Sequence, residues 1–283
     1  MNRLAWLCAA LAALGCGVDE GAEGVRLRFS YAEGDTLRYA YHASGHVTAP
    51  DTGAAGEPAE RSYEKRMRIE LVAAEVTPRE RYLLRMTYRP VADSASERHP
   101  PGPISFRLEM TPRGRVLDVR GVEAARPLFG DVDFQSYFEQ AQPVFPDRPM
   151  EVGDSWTQET KVLGPDEETV STSSTYVLKE LTGSSGEPVA VIAFDGDIYL
   201  PVSDPAGERD GVEDAPVSLE QRMRVRGEIH FAHRRGVVLR VESDADATMT
   251  KVRLDGDRPV RRVVKIREES EMRLLEDEGR GGT

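Results

Sequence analysis

Val152-Gly153-Asp154-Ser155-Trp156 decides how this chain is read, because Glu33-Gly34-Asp35-Thr36-Leu37 says nearly the same thing earlier. Glycine takes a positive φ at little steric cost, and an Asp side chain accepts hydrogen bonds from backbone N–H groups beside it. Gly-Asp followed by Ser or Thr is therefore a compact turn that releases the chain into a strand. Each copy opens a run in which apolar and polar residues alternate, the period of a strand with one buried face. Gly34, Asp35, Gly153 and Asp154 are thus expected to be structural turn residues at the heads of two related β modules.

Two further landmarks recur in the same order. Glu75-Val76-Thr77 matches Glu180-Leu181-Thr182, and Arg113-Gly114-Arg115-Val116-Leu117 matches Arg235-Gly236-Val237-Val238-Leu239. The spacings differ only where loops absorb insertions. A tandem duplication explains the shared order better than chance does.

Outward from these turns the chain reads almost entirely as strands. In the first half the runs are Val25–Phe29, Leu37–Ala43, Tyr63–Val76, Arg81–Arg89, Ile104–Met110 and Arg115–Arg120. In the second they are Thr157–Val162, Thr169–Thr182, Pro188–Leu200, Ser218–His233, Val237–Lys251 and Val260–Leu275. Asp195-Gly196-Asp197 and Asp255-Gly256-Asp257 have the composition of turns. Between the halves the period changes: Phe134, Tyr137, Phe138 and Ala141 follow helical spacing, with Asp131 or Asp133 available as N-cap. Pro143, Pro146 and Pro149 then end the helix. The expected fold is mainly β: two related antiparallel modules, as a curved sheet, sandwich or half-barrel, with one short helix between them. The expected divisions are a signal peptide at 1–15, a lipidated tether at 16–24 and module 1 at 25–130. A helix and Pro-rich linker at 131–149, module 2 at 150–275 and a polar tail at 276–283 follow.

Composition restricts the partners. Charged residues make up 30% of the 283 and the net charge is -12. Such a surface argues against nucleic acid or an anionic membrane face as the main partner. At the N-terminus a short positive region, Met1-Asn2-Arg3, precedes an apolar run from Leu4 to Leu14, then Gly15-Cys16 and a polar stretch. That run is too short to span a bilayer and has the length of a signal peptide. A small residue followed by Cys at its end resembles the lipobox of bacterial lipoproteins. The resemblance implies that Cys16 becomes the first mature residue and carries the lipid. The alternative is an ordinary cleaved signal with an incidental Cys16. Cys8 leaves with the signal, so the mature chain has one Cys at its very end and no internal disulfide, and in the lipid reading no thiol is left for catalysis.

With this lipobox, the repeated G-D-[ST]-[LW] modules look like those of secreted bacterial lipoproteins whose function is uncharacterised. The resemblance implies an envelope location and long antiparallel strands. It brings no catalytic residue.

Catalytic chemistry finds little support in the residues. No nucleophile elbow, His-Glu-x-x-His or phosphate-binding glycine loop is present. His42 and His46 share a strand face but stand about 13 Å apart, too far for one metal. His230 and His233 face opposite sides of a regular strand, and His99 stands alone. The acidic loop holding Asp204, Glu208, Asp210, Glu213 and Asp214 lacks the ligand spacing of a calcium loop. Arg222, Arg224 and Arg226 share one strand face and are expected to pair with acidic neighbours across the sheet. The expectation is a non-enzymatic structural or binding protein with no catalytic residue, metal or cofactor. It is tethered through Cys16 to the bacterial envelope, at the outer membrane rather than the inner, where an envelope protein or an apolar ligand is its partner. The rival is a periplasmic carrier whose curved sheet encloses an apolar ligand (lipid or lipoprotein acyl chain), with Tyr39, Tyr41, Met67, Tyr82 and Met86 lining the cavity.

Overall fold

A computed structural model describes residues 24–49, 59–78, 81–91, 102–125, 131–164, 168–183, 187–203, 218–255 and 258–278. The expected signal peptide, Cys16, all of the expected tether but Gly24, and the acidic stretch at 204–214 lie outside these residues. The first half contributes β1 (Thr36–Ala49), β2 (Ala59–Val76), β3 (Tyr82–Pro90), β4 (Ile104–Met110) and β5 (Val116–Arg120). A single turn of 3-10 helix, Val122–Ala125, the short β6 (Asp131–Val132) and helix α1 (Phe134–Ala141) follow. The second half contributes β7 (Ser155–Leu163), β8 (Thr169–Thr182), β9 (Val189–Ser203), β10 (Ser218–Ala232), β11 (Val237–Asp255) and β12 (Arg258–Glu278).

Among the described residues these strands form one antiparallel sheet, ordered β5-β4-β3-β2-β1-β12-β11-β10-β9-β8-β7, with β6 beside β9. Each half is a meander: β1 to β5 run from the middle of the sheet to one edge, and β7 to β11 run from the other edge to the middle, so both progress in the same direction across the sheet. β12 joins the two meanders by pairing with β11 on one side and β1 on the other. The sheet does not close: β5 and β7 are its edges, and α1 packs against both.

The two Gly-Asp turns have the same geometry. Gly34 has φ 90° and Gly153 φ 94°. In each, the Asp N–H donates to the carbonyl three residues back, and the Asp carboxylate accepts from that same residue's N–H (Ala32, 2.8 Å; Glu151, 3.0 Å). The Gly N–H reaches across to Ala73 O in one case and Leu178 O in the other, both at 2.8 Å. Even the irregularities correspond: β2 slips one residue against β3 between Ala73 and Glu75, and β8 against β9 between Leu178 and Glu180.

Burial follows the alternation. Leu37, Tyr39 and Ala43 on β1, Ile69 and Leu71 on β2, and Leu84 on β3 are buried on one face. Ile104, Phe106 and Leu108 on β4 continue that core, and Leu178, Ile192, Ile229 and Phe231 extend it in the second half. The sheet thus curves around one apolar interior. Its other face carries ion pairs between neighbouring strands, including Arg38–Glu70, Arg240–Glu271 and Arg267–Asp246, and Lys179–Glu228 reaches from β8 over β9 to β10. Arg224 makes the expected cross-strand pair, donating from Nε and Nη2 to the two carboxylate oxygens of Asp195 at 3.1 and 2.9 Å.

Three expectations are corrected. Val25–Phe29 is not a ladder strand. Its regular pairing is one bridge, Val25 to Met150, and it crosses the core as an extended segment that buries Leu27, Phe29 and Tyr31. Asp195-Gly196-Asp197 is not a turn but the middle of β9; a Cβ on Gly196 would stand 2.1 Å from Ser174 Oγ, so Gly is required by the approach of β8. The stretch expected as a polar tail begins inside β12, where Glu276, Asp277 and Glu278 pair with Arg38, Leu37 and Thr36.

Candidate functional site on the concave face

The register of the ladders assigns every strand residue to the concave or the convex face. At the end of the sheet holding the Gly-Asp turns, the concave side is full. Phe29 stacks on Phe145 with centroids 5.1 Å apart and meets Phe231 edge-on at 5.4 Å. Phe145 and Phe231 lie 4.9 Å apart, and Leu27 closes the gap. Trp156 of the second turn motif stacks on Tyr176 at 5.1 Å, and its buried indole N–H has no hydrogen-bond partner among the described residues.

Helix α1 forms the next layer. Asp133 caps it, accepting from Ser136 N. Phe134 and Phe138 pack on Phe106 of β4 at 6.0 and 5.3 Å, and Tyr88 stacks on the other side of Phe106 at 5.4 Å. Two glutamines fasten the helix. β8 leaves β9 beyond Gly196, and Gln140 takes the vacant place in the ladder: it accepts from Tyr199 N at 2.8 Å and donates to Tyr199 O at 3.0 Å. Gln158 of β7 donates to the carbonyls of Glu139 and Gln142 and accepts from Val144 N, satisfying the helix C-terminus.

Beyond the helix the concave face changes character. Tyr63, Gly45 and Glu268 lie side by side on β2, β1 and β12, and Tyr41 and Lys65 face the same way. Glu268 accepts from Tyr63 Oη at 2.5 Å and Tyr41 Oη at 3.2 Å, and Lys65 Nζ stands 3.6 Å from the same carboxylate. The ammonium also sits over the Tyr63 ring, 5.6 Å from its centroid. Burial, reinforced by the Glu268 charge, pushes the phenols of Tyr41, Tyr63 and Tyr137 above their ordinary range. Burial does the same for Tyr88, with Tyr137 beside it. All four remain hydrogen-bond donors at neutral pH. Farther toward the open end, Val47, Met223, Met249 and Ile266 continue the apolar phase, while Val225 shares the row of Glu268 and Met67 stands two rows nearer the turns; each of the six stays part-exposed.

The sequence reading named Tyr39, Tyr41, Met67, Tyr82 and Met86 as cavity candidates, and all five share the concave phase. Tyr39 and Tyr82 belong to the filled core, Met86 and Tyr41 pack against it, and Met67 is part-exposed beside Tyr41. Lys65 and Glu268 were missed. The available signal was a charge at an apolar-phase position, between Tyr63 and Met67 and between Ile266 and Ser270. Gly34, Asp35, Gly153 and Asp154 hold the turns far from this region. Among the described residues no three His, Cys, Asp or Glu side chains gather where they would hold a metal ion. Away from this region, a shallow cavity of about 510 Å³ lies around His230, Arg235, Leu239, Arg240, Arg273 and Leu275. Carboxylates answer two of its guanidinium groups: Glu187 pairs with Arg235, and Glu242 and Glu271 with Arg240.

Residues 123–230, from the 3-10 turn through most of β10, match a family of unknown function, DUF6263. No curated protein matches the chain. A solved structure titled for lipid–protein interactions in lipovitellin is similar at a TM-score of 0.44 and 14% identity, over 90% of this chain. This chain spans 26% of the length of that one.

Proposed function

We propose that the protein is a non-enzymatic binding protein of the bacterial envelope that holds an amphiphilic or apolar ligand in the open part of its concave face. The observation behind this reading is the unfinished core. Phe145, Phe231 and Leu27 fill one end to under 2% exposure, whereas Val47, Met67, Met223, Val225, Met249 and Ile266 stay part-exposed on the same face. Covering such residues returns about 25 cal/mol per Å² of apolar surface, so a ligand chain laid along them is favoured by several kcal/mol in aggregate. In this proposal the lipobox places the protein in the envelope, with Cys16 as its tether to the outer membrane.

The test is mass spectrometry of organic extracts from the purified full chain carrying Cys16→Ala, produced in a diderm bacterium. An amphiphile near one per chain is expected. It should be lost from Met67→Glu on the concave face and kept by Arg68→Glu on the convex one. An extract no richer than that of an unrelated exported protein would overturn the proposal.

A further inference from the structure

The polar cluster at Glu268 sits in the middle of a largely apolar face, and its chemistry says what kind of head the ligand carries. Glu268 presents one carboxylate, its side chain 23% exposed, and Lys65 one ammonium, 49% exposed, 3.6 Å apart. Neither is saturated. Oε1 of Glu268 accepts one phenol, Tyr41, while Oε2 takes Tyr63 and Lys65, and each carboxylate oxygen has two lone pairs. Lys65 has three donors and one acidic partner. Arg61 lies on the same face, one row nearer the open end, opposite Val47. Phenol rings and a carboxylate together are the surroundings that take an ammonium, and the Lys65 amine already rests over the Tyr63 ring.

Resting on the amphiphile reading above, we infer that the ligand's head is zwitterionic. Its ammonium meets Glu268 and the phenols of Tyr41 and Tyr63, its phosphate or carboxylate meets Lys65 and Arg61, and its chains lie over Met67, Val47 and Ile266. A head with negative charge alone meets Glu268 at short range and is repelled. An uncharged head leaves the spare lone pairs of Glu268 and the spare donors of Lys65 without a charged partner and so gains nothing from either group.

The experiment titrates the full chain carrying Cys16→Ala with three short-chain lipids kept below their aggregation limit and reads affinity by native mass spectrometry. The lipids are phosphatidylethanolamine, phosphatidylglycerol and diacylglycerol. Phosphatidylethanolamine should bind at least about tenfold more tightly than either of the others, a difference of about 1.4 kcal/mol. Glu268→Gln and Lys65→Met should each remove most of that preference while chain binding persists. Lys65 is half-exposed, so its variant keeps the inference testable if Glu268→Gln fails to fold. Equal affinity for the three lipids, or an unchanged preference in both variants, would overturn the zwitterion inference and leave the binding proposal standing. No measurable binding of any lipid would sink both.

Discussion

Gln140 offers the sharpest test of how the helix is built into the sheet. Its amide replaces a strand that is not there, serving the N–H and C=O of Tyr199 at 2.8 and 3.0 Å, and the residue is 3% exposed. Truncation to Ala removes both of these hydrogen bonds in a buried place. Removing one costs about 1–3 kcal/mol, so two predict a loss of about 3 kcal/mol or somewhat more, allowing for partial relaxation. For a domain of this size that is a fall of about 6–12 °C in Tm. Gln140→Glu separates the two bonds: an ionised carboxylate still accepts from Tyr199 N–H but sets a buried negative charge against the carbonyls of Tyr199 and Ser136, so it should lose at least as much. Hydrogen exchange gives the local readout, since the Tyr199 amide should lose protection in the Ala variant and retain it in the Glu variant. A Gln140→Ala protein within about 0.5 kcal/mol of wild type, with Tyr199 still protected, would refute the strand-replacement account.

Phe138→Ala should cost about 3 kcal/mol by denaturant unfolding, because its ring is 8% exposed and packs on Phe106; a loss of a few tenths would mean the helix layer is loose. Gly34→Val and Gly153→Val meet no atom within 4 Å but force a β-branched residue to φ near 90°, so each should lose about 1–3 kcal/mol through backbone strain alone. Equal effects at the two sites are expected, and a neutral result at one would break their equivalence. Acid should destabilise the fold through the ordinary carboxylate range. Hydrogen bonds from Arg148, Arg224 and Lys179 hold Asp154, Asp195 and Glu228 below their usual pKa, so their contribution is complete above that range and disappears as pH falls through it. Asp195→Asn should flatten this part of the profile of Tm against pH, and an unchanged profile would show the pair to be inert. Cell fractionation tests the anchor: wild type should sediment with membranes, and Cys16→Ala should become soluble or stay uncleaved. If both are soluble mature proteins, Cys16 carries no lipid.

Local rules made most of the architecture legible. Period-2 alternation located the long strands, and the change of period at Phe134, Tyr137 and Phe138 located the helix. The Gly-Asp turns were visible because a positive φ and an N–H-accepting side chain are properties of two adjacent residues. What was not legible depends on distant partners. Alternation in Val25–Phe29 records which side is buried, and a segment crossing a core alternates as well as a strand does. Gly196 looked like a turn residue because the approach of Ser174 from β8 cannot be seen from β9. The helix glutamines read as ordinary polar positions, since the vacancy at Tyr199 exists only after β8 departs. Lys65 and Glu268 broke the pattern of their own strands, but their meeting depends on β1 lying between β2 and β12.

The placement of β12 has a consequence in time. Its residues pair with Thr36–Thr48, more than two hundred positions earlier in the chain, and also with β11. A growing or emerging chain that has not yet delivered Arg258 onward can form both meanders but no ladder between them, and β1 and β11 then stand as two open edges. Long-range antiparallel closure of this kind is slow, because the entropy of a very large loop is lost before any contact forms. Unpaired edges are also where strands of other molecules add. The interval before β12 docks is therefore when this protein is most exposed to aggregation and to holding chaperones, and chains cut before Arg258 should remain in that condition indefinitely.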